Sequence, residues 1–174
     1  PAYTFKQAEK TFGDLRNKKI ALLGVAYRFN SEDTRNSPTL ALANYLRDNN
    51  VDYIMHDPYV KEDDQNLLKY NQQDYFTPDI NKALESADFI FMGTAHKEYI
   101  DNFELITSRN NIQGVMDACN IYTTSQFAGK KIQYSGIGRG TNEPDSKFID
   151  FVYESFRTME KGLGHELLGL INFY

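Results

Sequence analysis

Tryptophan is absent from this 174-residue chain, cysteine occurs once and histidine three times. The lone Cys119 excludes an internal disulfide, and no Cys/His set has the spacing of a zinc site. His56, His96 and His165 stand far apart in sequence and form no HxxxH-type pair, so no metal is expected. One cysteine also favours a reducing, cytoplasmic setting. Excess basic charge is lacking too: 19 Lys and Arg stand against 24 Asp and Glu, a net charge of -5. Nucleic acid is therefore not an expected partner, because backbone phosphates demand a net basic face, whereas a single diphosphate needs only one or two local cations. No apolar run exceeds the length of a strand, so no membrane span is expected. The opening PAYTFKQAEKTFGDLRN lacks an apolar signal core and an initiating Met, which leads us to expect a mature form or a piece of a longer protein.

What remains is an ordinary globular composition, 41% hydrophobic and 25% charged, at a length suited to one core with short appendages. Apolar runs at Ile20 to Val25, Val51 to Met55, 88 to 94, 114 to 119 and 131 to 138 read as strands, several of them buried on both faces. Between them, Ser37-Pro38 opens a helix with an apolar stripe through Ala41, Leu42, Tyr45 and Leu46. Asp79 caps another helix, and residues 96 to 108 suggest a third. The polar, tyrosine-rich stretch 61 to 79 reads as a loop with a short helix. This alternation predicts a Rossmann-like three-layer α/β/α sandwich with a mainly parallel sheet of five or six strands. Phe148, Phe151, Val152, Phe156, Met159 and Leu163 recur at helical spacing and predict a C-terminal amphipathic helix.

In an open sheet of this kind, ligands bind beyond the carboxyl ends of the strands where strand order reverses. Asp57, Thr94 to His96, Asp117 to Asn120 and Gly136 to Gly138 all fall at that edge. A dinucleotide loop would run G-x-G-x-x-G directly from strand to helix so that backbone can approach the pyrophosphate. Here only Gly24 is present, and GVAYRFNSEDTRNSP intervenes before the helix. Arg28 offers a guanidinium fork for phosphate oxygens instead. An equal alternative is that Arg28 and Arg35 simply pair with Glu32 and Asp33. GIGRG, with Gly136 and Gly138, suits either a phosphate loop or a tight turn. Cys119 suits a nucleophile or a small residue closing a strand, and His96 a crevice residue or a helix cap.

Taken in order, GVAYRFNSEDTRNSP, HDPYV (56 to 60), ADFIFMGTAHKEY (87 to 99), VMDACNIY (115 to 122) and YSGIGRG (134 to 140) resemble the C-terminal, UDP-binding domain of the UDP-glucose/GDP-mannose dehydrogenase family. The resemblance covers about residues 18 to 140. It implies that residues 1 to 17 end a central connecting helix, 18 to 140 form the nucleotide-sugar domain, and 141 to 174 form a helical extension. It also implies a parent enzyme that oxidises the C6 alcohol of a UDP-sugar to a carboxylate with NAD. NAD and the catalytic cysteine would belong to an N-terminal domain of the same chain, so these 174 residues would hold no catalytic residue and be inactive alone. A homodimer is implied for the full-length enzyme.

Carried over by motif, Tyr27 and Arg28 take the family's aromatic-lysine pair, whose basic member contacts phosphate; arginine changes its reach. Asp33 and Arg35 fall on the D-x-R pair beside the nucleotide, and Asn120 closes a D-x-R-N pattern in which Cys119 replaces the arginine. Thr94, His96 and Tyr99 look more like the branch acting on UDP-N-acetylhexosamines such as UDP-N-acetylmannosamine. The alternative is a stand-alone nucleotide-binding regulatory or assembly module without catalysis.

Overall fold

A computed structural model describes residues 2–138, 151 and 153–159. The chain divides into two units, residues 1–138 and 139–174. In the first, six strands form one all-parallel sheet: β1 (Ile20–Leu23), β2 (Tyr53–His56), β3 (Phe76–Thr77), β4 (Phe89–Met92), β5 (Gly114–Asp117) and β6 (Gln133–Gly136), in the order β3-β2-β1-β4-β5-β6. The helices are α1 (Ala2–Phe12), α2 (Pro38–Asp48), α3 (Gln65–Lys69), α4 (Ile80–Glu85), α5 (Lys97–Asp101) and α6 (Phe103–Thr107).

Strand alternation explains the three layers. Ile20 and Leu22 of β1, Phe89 and Phe91 of β4 and Met116 of β5 join one core with Phe5 and Ala8 of α1 and Leu40, Ala43 and Leu46 of α2. The intervening Ala21, Leu23, Ile90, Met92 and Val115 point the other way, into a core with Ala83 and Leu84 of α4, Tyr99 of α5 and Ile106 of α6. Burial on both faces is why β1, β4 and β5 are short apolar runs without polar alternation. The residues read as the end of a connecting helix thus supply α1, which seats Phe5 and Ala8 on the sheet and sets Phe12 against Phe89, tilted, at 5.3 Å between ring centres.

Local chemistry sets most boundaries. Ser37 caps α2 by accepting the Leu40 N–H, with Pro38 at the first helical position. Asp64 caps α3 and Asp79 caps α4 through side-chain oxygens. Two elements depart from expectation. The loop of 61 to 79 contains β3, whose two residues are too few to show a period. The helix expected over 96 to 108 is two short helices meeting at Asn102, whose side-chain amide bonds the Glu98 carbonyl at 2.8 Å and competes with helical pairing.

In the second unit, residues 151 and 153–159 are helical, and Phe151, Tyr153, Phe156 and Met159 are exposed. The rest of the predicted amphipathic helix, including Phe148, Val152 and Leu163, lies outside the described residues. Among the described residues no helix is long and apolar enough to cross a membrane.

Candidate functional site

Strand order reverses at β1, which has β2 on one side and β4 on the other. The carboxyl ends of β1 and β4 therefore open the crevice where α/β sheets bind ligands. Gly24, at φ +94°, turns the chain out of β1, and a Cβ there would lie 2.5 Å from the Thr94 backbone nitrogen. Gly93 complements it: a Cβ at this position would lie 2.6 Å from the Gly24 carbonyl oxygen and closer still to Thr39 Oγ1. The two post-strand segments pass each other at a distance only glycine allows.

The loop that leaves Gly24 is held through its backbone. Asp57, at the end of β2, accepts the Val25 and Ala26 N–H groups on Oδ2 at 2.7 and 2.8 Å, and the Tyr59 and Val60 N–H groups on Oδ1 at 2.9 and 3.2 Å. Ser37 Oγ donates to the Val25 carbonyl and Thr94 Oγ1 to the Ala26 carbonyl, each at 2.5 Å. The Tyr27 N–H bonds the Asp33 carbonyl at 2.7 Å, closing the loop on itself. Farther along, Asn30 takes a left-handed conformation at φ +51° and donates its N–H to His96 Nδ1 at 2.8 Å. Its side-chain oxygen accepts from the Lys97 N–H at 3.0 Å.

His96 and Asp57 are both completely buried. Because Nδ1 of His96 accepts a backbone N–H, its proton sits on Nε2, which donates to Asp57 Oδ2 at 3.0 Å. Burial pushes the Asp57 carboxyl up, but His96 and the backbone donors outweigh it and hold the group below its usual range. Behind this pair, Tyr99 donates its hydroxyl proton to the His56 carbonyl at 3.0 Å, and its hydroxyl oxygen lies within hydrogen-bond distance of His56 Nδ1, at 2.9 Å. Burial drives the His56 imidazole down to about 4 from its ordinary 6.5, against the opposing pull of Asp57.

That depression fixes a pH dependence. Between pH 6.5 and 4 the unfolded chain takes up a proton at His56 that the folded chain refuses, so stability is full above this window and falls as pH drops through it, by up to about 3 kcal/mol. Asp57 adds its loss only at lower pH, below the usual carboxylate range. Urea midpoints measured from pH 7.5 to 4 should fall across the window, and His56→Gln should flatten the slope. A flat profile in the unaltered chain would contradict a neutral buried His56.

While the loop's backbone is engaged, its tip projects. Tyr27 and Phe29 are 54% and 69% exposed. Arg28 between them is exposed and makes no hydrogen bond or ion pair among the described residues. Arg35 behaves differently: its Nε and Nη2 grip both Asp33 oxygens at 2.8 Å, and this hydrogen bond leads the causes that hold Asp33 down to about 2, with Arg28 contributing a little at a distance. The ion-pair alternative read from the sequence therefore holds for Arg35 and, among the described residues, not for Arg28.

The remaining candidates gather at the ends of β5 and β6. Asp117 accepts the Cys119 and Tyr122 N–H groups at 3.0 Å each. Asn120, left-handed at φ +54°, donates from its amide to the Ile137 carbonyl at 3.0 Å, joining the two strand ends. Gly136 ends β6 and Gly138 turns at φ +79°; Arg139 and Gly140 lie outside the described residues. Burial lifts the Cys119 thiol to about 12, aided by Asp117, so thiolate is scarce at neutral pH. His96 is fully buried and occupies the N-cap position of α5, as one of its two sequence readings has it, though its side chain makes no capping hydrogen bond. Asn30 and Tyr59 escaped the sequence reading, although an Asn two residues past an exposed Arg in a long post-strand loop is a plausible left-handed position.

A family model described as the UDP binding domain of the UDP-glucose/GDP-mannose dehydrogenase family matches residues 21–124, from β1 past β5 and across the whole loop. The chain belongs to this family. Among dehydrogenases of the family, it is 29% identical over 128 residues to a UDP-glucose 6-dehydrogenase of Rhizobium meliloti, covering 73% of this chain and 29% of that protein. It is 31% identical over 122 residues to a UDP-N-acetyl-D-mannosamine dehydrogenase of Pyrococcus horikoshii, covering 70% of this chain and 25% of the relative. The solved structure of a UDP-D-ManNAc dehydrogenase from Pyrococcus horikoshii superposes with a TM-score of 0.61 at 29% identity, covering 82% of this chain and 31% of that one. An NDP-N-acetyl-D-galactosaminuronic acid dehydrogenase from Methanosarcina mazei shares the fold, with a TM-score of 0.63 at 24% identity over 79% of this chain and 29% of that one. This member of the dehydrogenase family thus spans less than a third of the relatives it matches.

Proposed function

We propose that this chain is the nucleotide-sugar-binding domain of an NAD-dependent UDP-sugar 6-dehydrogenase, whose complete form oxidises the C6 alcohol of UDP-glucose or UDP-N-acetylmannosamine to a carboxylate. The observation that carries the reading is Arg28: a guanidinium without a partner among the described residues, on a backbone-pinned loop, at the reversal point of the sheet, within the span matched to a UDP binding domain. In this reading Arg28 pairs with the diphosphate, and Tyr27 and Asn120 flank the nucleotide. Asp33 and Arg35 act on the loop rather than on the ligand, since each already satisfies the other. Gly136 and Gly138 offer backbone on the far side of the crevice.

The same edge does not fit NAD. Only Gly24 occupies a cradle that needs three glycines, Val25 and Ala26 follow it, and α2 does not begin until Pro38. We assign NAD and the catalytic cysteine to the N-terminal domain of the parent enzyme, a homodimer to its full-length form, and Cys119 to structure. Its lifted thiol suits that role.

Titration of the chain with UDP followed by NMR is expected to give saturable shifts at Tyr27, Arg28 and Gly136, and no comparable shifts with NAD. Saturable shifts with NAD alone would overturn the reading. Arg28→Ala should weaken UDP binding by about tenfold to a hundredfold, the worth of a lost charge-assisted pair. Its thermal midpoint should stay unchanged, since the exposed side chain has no partner to lose among the described residues.

A further inference from the structure

The backbone pins of the loop are unequally placed. Val25 and Ala26 are held beside the sheet by Asp57, Ser37 and Thr94, which leaves the projecting Tyr27-Arg28-Phe29 segment tethered at its near side. On the far side the Asn30 N–H is taken by a buried imidazole, and its side chain is taken by the Lys97 N–H. A neutral imidazole offers one acceptor, and which nitrogen that is depends on the other's partner. Asp57 takes the proton on His96 Nε2, so Nδ1 is left bare and aimed at Asn30. Tyr59 walls the ring on one side at 5.1 Å between ring centres and Tyr99 lies edge-on at 5.6 Å, so the imidazole has no room to turn over.

We propose that His96 is a positioning residue for the nucleotide-diphosphate site: with its tautomer set by Asp57, it accepts the Asn30 N–H and thereby holds Arg28 at the mouth of the crevice. This deepens the reading of the site as a UDP site and rests on it. The same carboxylate thus governs both ends of the projecting segment, directly at Val25 and Ala26 and through the imidazole at Asn30. Both ring nitrogens are engaged by protein partners, so His96 acts through the loop.

Two variants separate the two bonds. The amide oxygen of His96→Asn falls near the Nδ1 position and can still accept from Asn30, but the shorter side chain no longer reaches Asp57. The amide nitrogen of His96→Gln falls near Nε2 and can still donate to Asp57, but nothing accepts from Asn30. We expect His96→Asn to lower the thermal midpoint more, yet to keep UDP affinity within about threefold and the Asn30 amide protected from exchange. We expect His96→Gln to be the more stable variant, yet to bind UDP about tenfold more weakly, with the Asn30 amide exchanging fast. Affinity and stability would then run in opposite orders, which a merely structural histidine would not produce. Equal losses in both variants, or a His96→Gln protein with full affinity and a protected Asn30 amide, would overturn the proposal. If the unaltered chain fails to bind UDP, the reading of the site falls, while the amide exchange of the two variants still decides whether His96 holds the loop.

Discussion

Replacement of Asp57 by alanine is expected to remove about 4 kcal/mol or more of folding stability, a large share of what a domain of this size possesses. The carboxylate is completely buried and receives four backbone N–H groups and the His96 ring N–H. Truncation leaves all five donors without an acceptor in a place water reaches poorly, and each orphaned donor costs about 1–3 kcal/mol, not additively. Asp57→Asn retains the shape and one acceptor oxygen but turns an amide N–H₂ toward N–H donors, so a smaller loss of about 2–3 kcal/mol is expected. Urea unfolding of the three proteins at pH 7 measures both losses. A cost below about 1 kcal/mol for the alanine variant would mean that the loop finds other partners, against the reading of Asp57 as its anchor.

The second large effect is expected at Gly24. Its φ of +94° strains any L side chain, and a methyl group there would lie 2.5 Å from the Thr94 backbone nitrogen. Positive φ costs about 1–2 kcal/mol for a residue with a Cβ. Forcing a methyl into a filled space adds about 1–3 kcal/mol. Gly24→Ala should therefore lose about 2–5 kcal/mol in the same unfolding experiment and should also displace the loop, so that UDP binding falls in the molecules that remain folded. An alanine variant with an unchanged midpoint would show that the two segments are not closely apposed.

What the sequence disclosed and what it withheld divide along physical lines. The apolar runs of β1, β4 and β5 and the caps at Ser37 and Asp79 are local: each is specified by residues within a few positions of itself, so it can be read without a partner. β3 was not legible because two residues display no period and pair only with β2. The break at Asn102 depends on one side chain choosing the backbone over the helix. At the site, the family motifs led to Arg28, Asp33 and Arg35, yet which arginine pairs with an acid needed coordinates, since either can reach one in so charged a segment. His96 was read as a crevice or capping residue. Its partners are 39 and 66 positions away, and no spacing rule connects such residues. Asp57 was recognised only as a strand end before a proline, and the five donors that converge on it come from three separate stretches of chain.

The pinned loop also bears on how such a domain can change. The hydrogen bonds that shape residues 25 to 30 are made by the main chain, the Tyr27 N–H among it, and by side chains such as Asp57, Ser37, Thr94 and His96, whereas the side chains of Tyr27, Arg28 and Phe29 are exposed. The scaffold of the loop and its exposed tip are thus specified by different residues. Exchanging the tip side chains would leave what holds the tip in place unaltered, so position 28 can vary at little risk to the fold. Arginine at position 28, where the family resemblance leads one to expect lysine, is a variation of that kind.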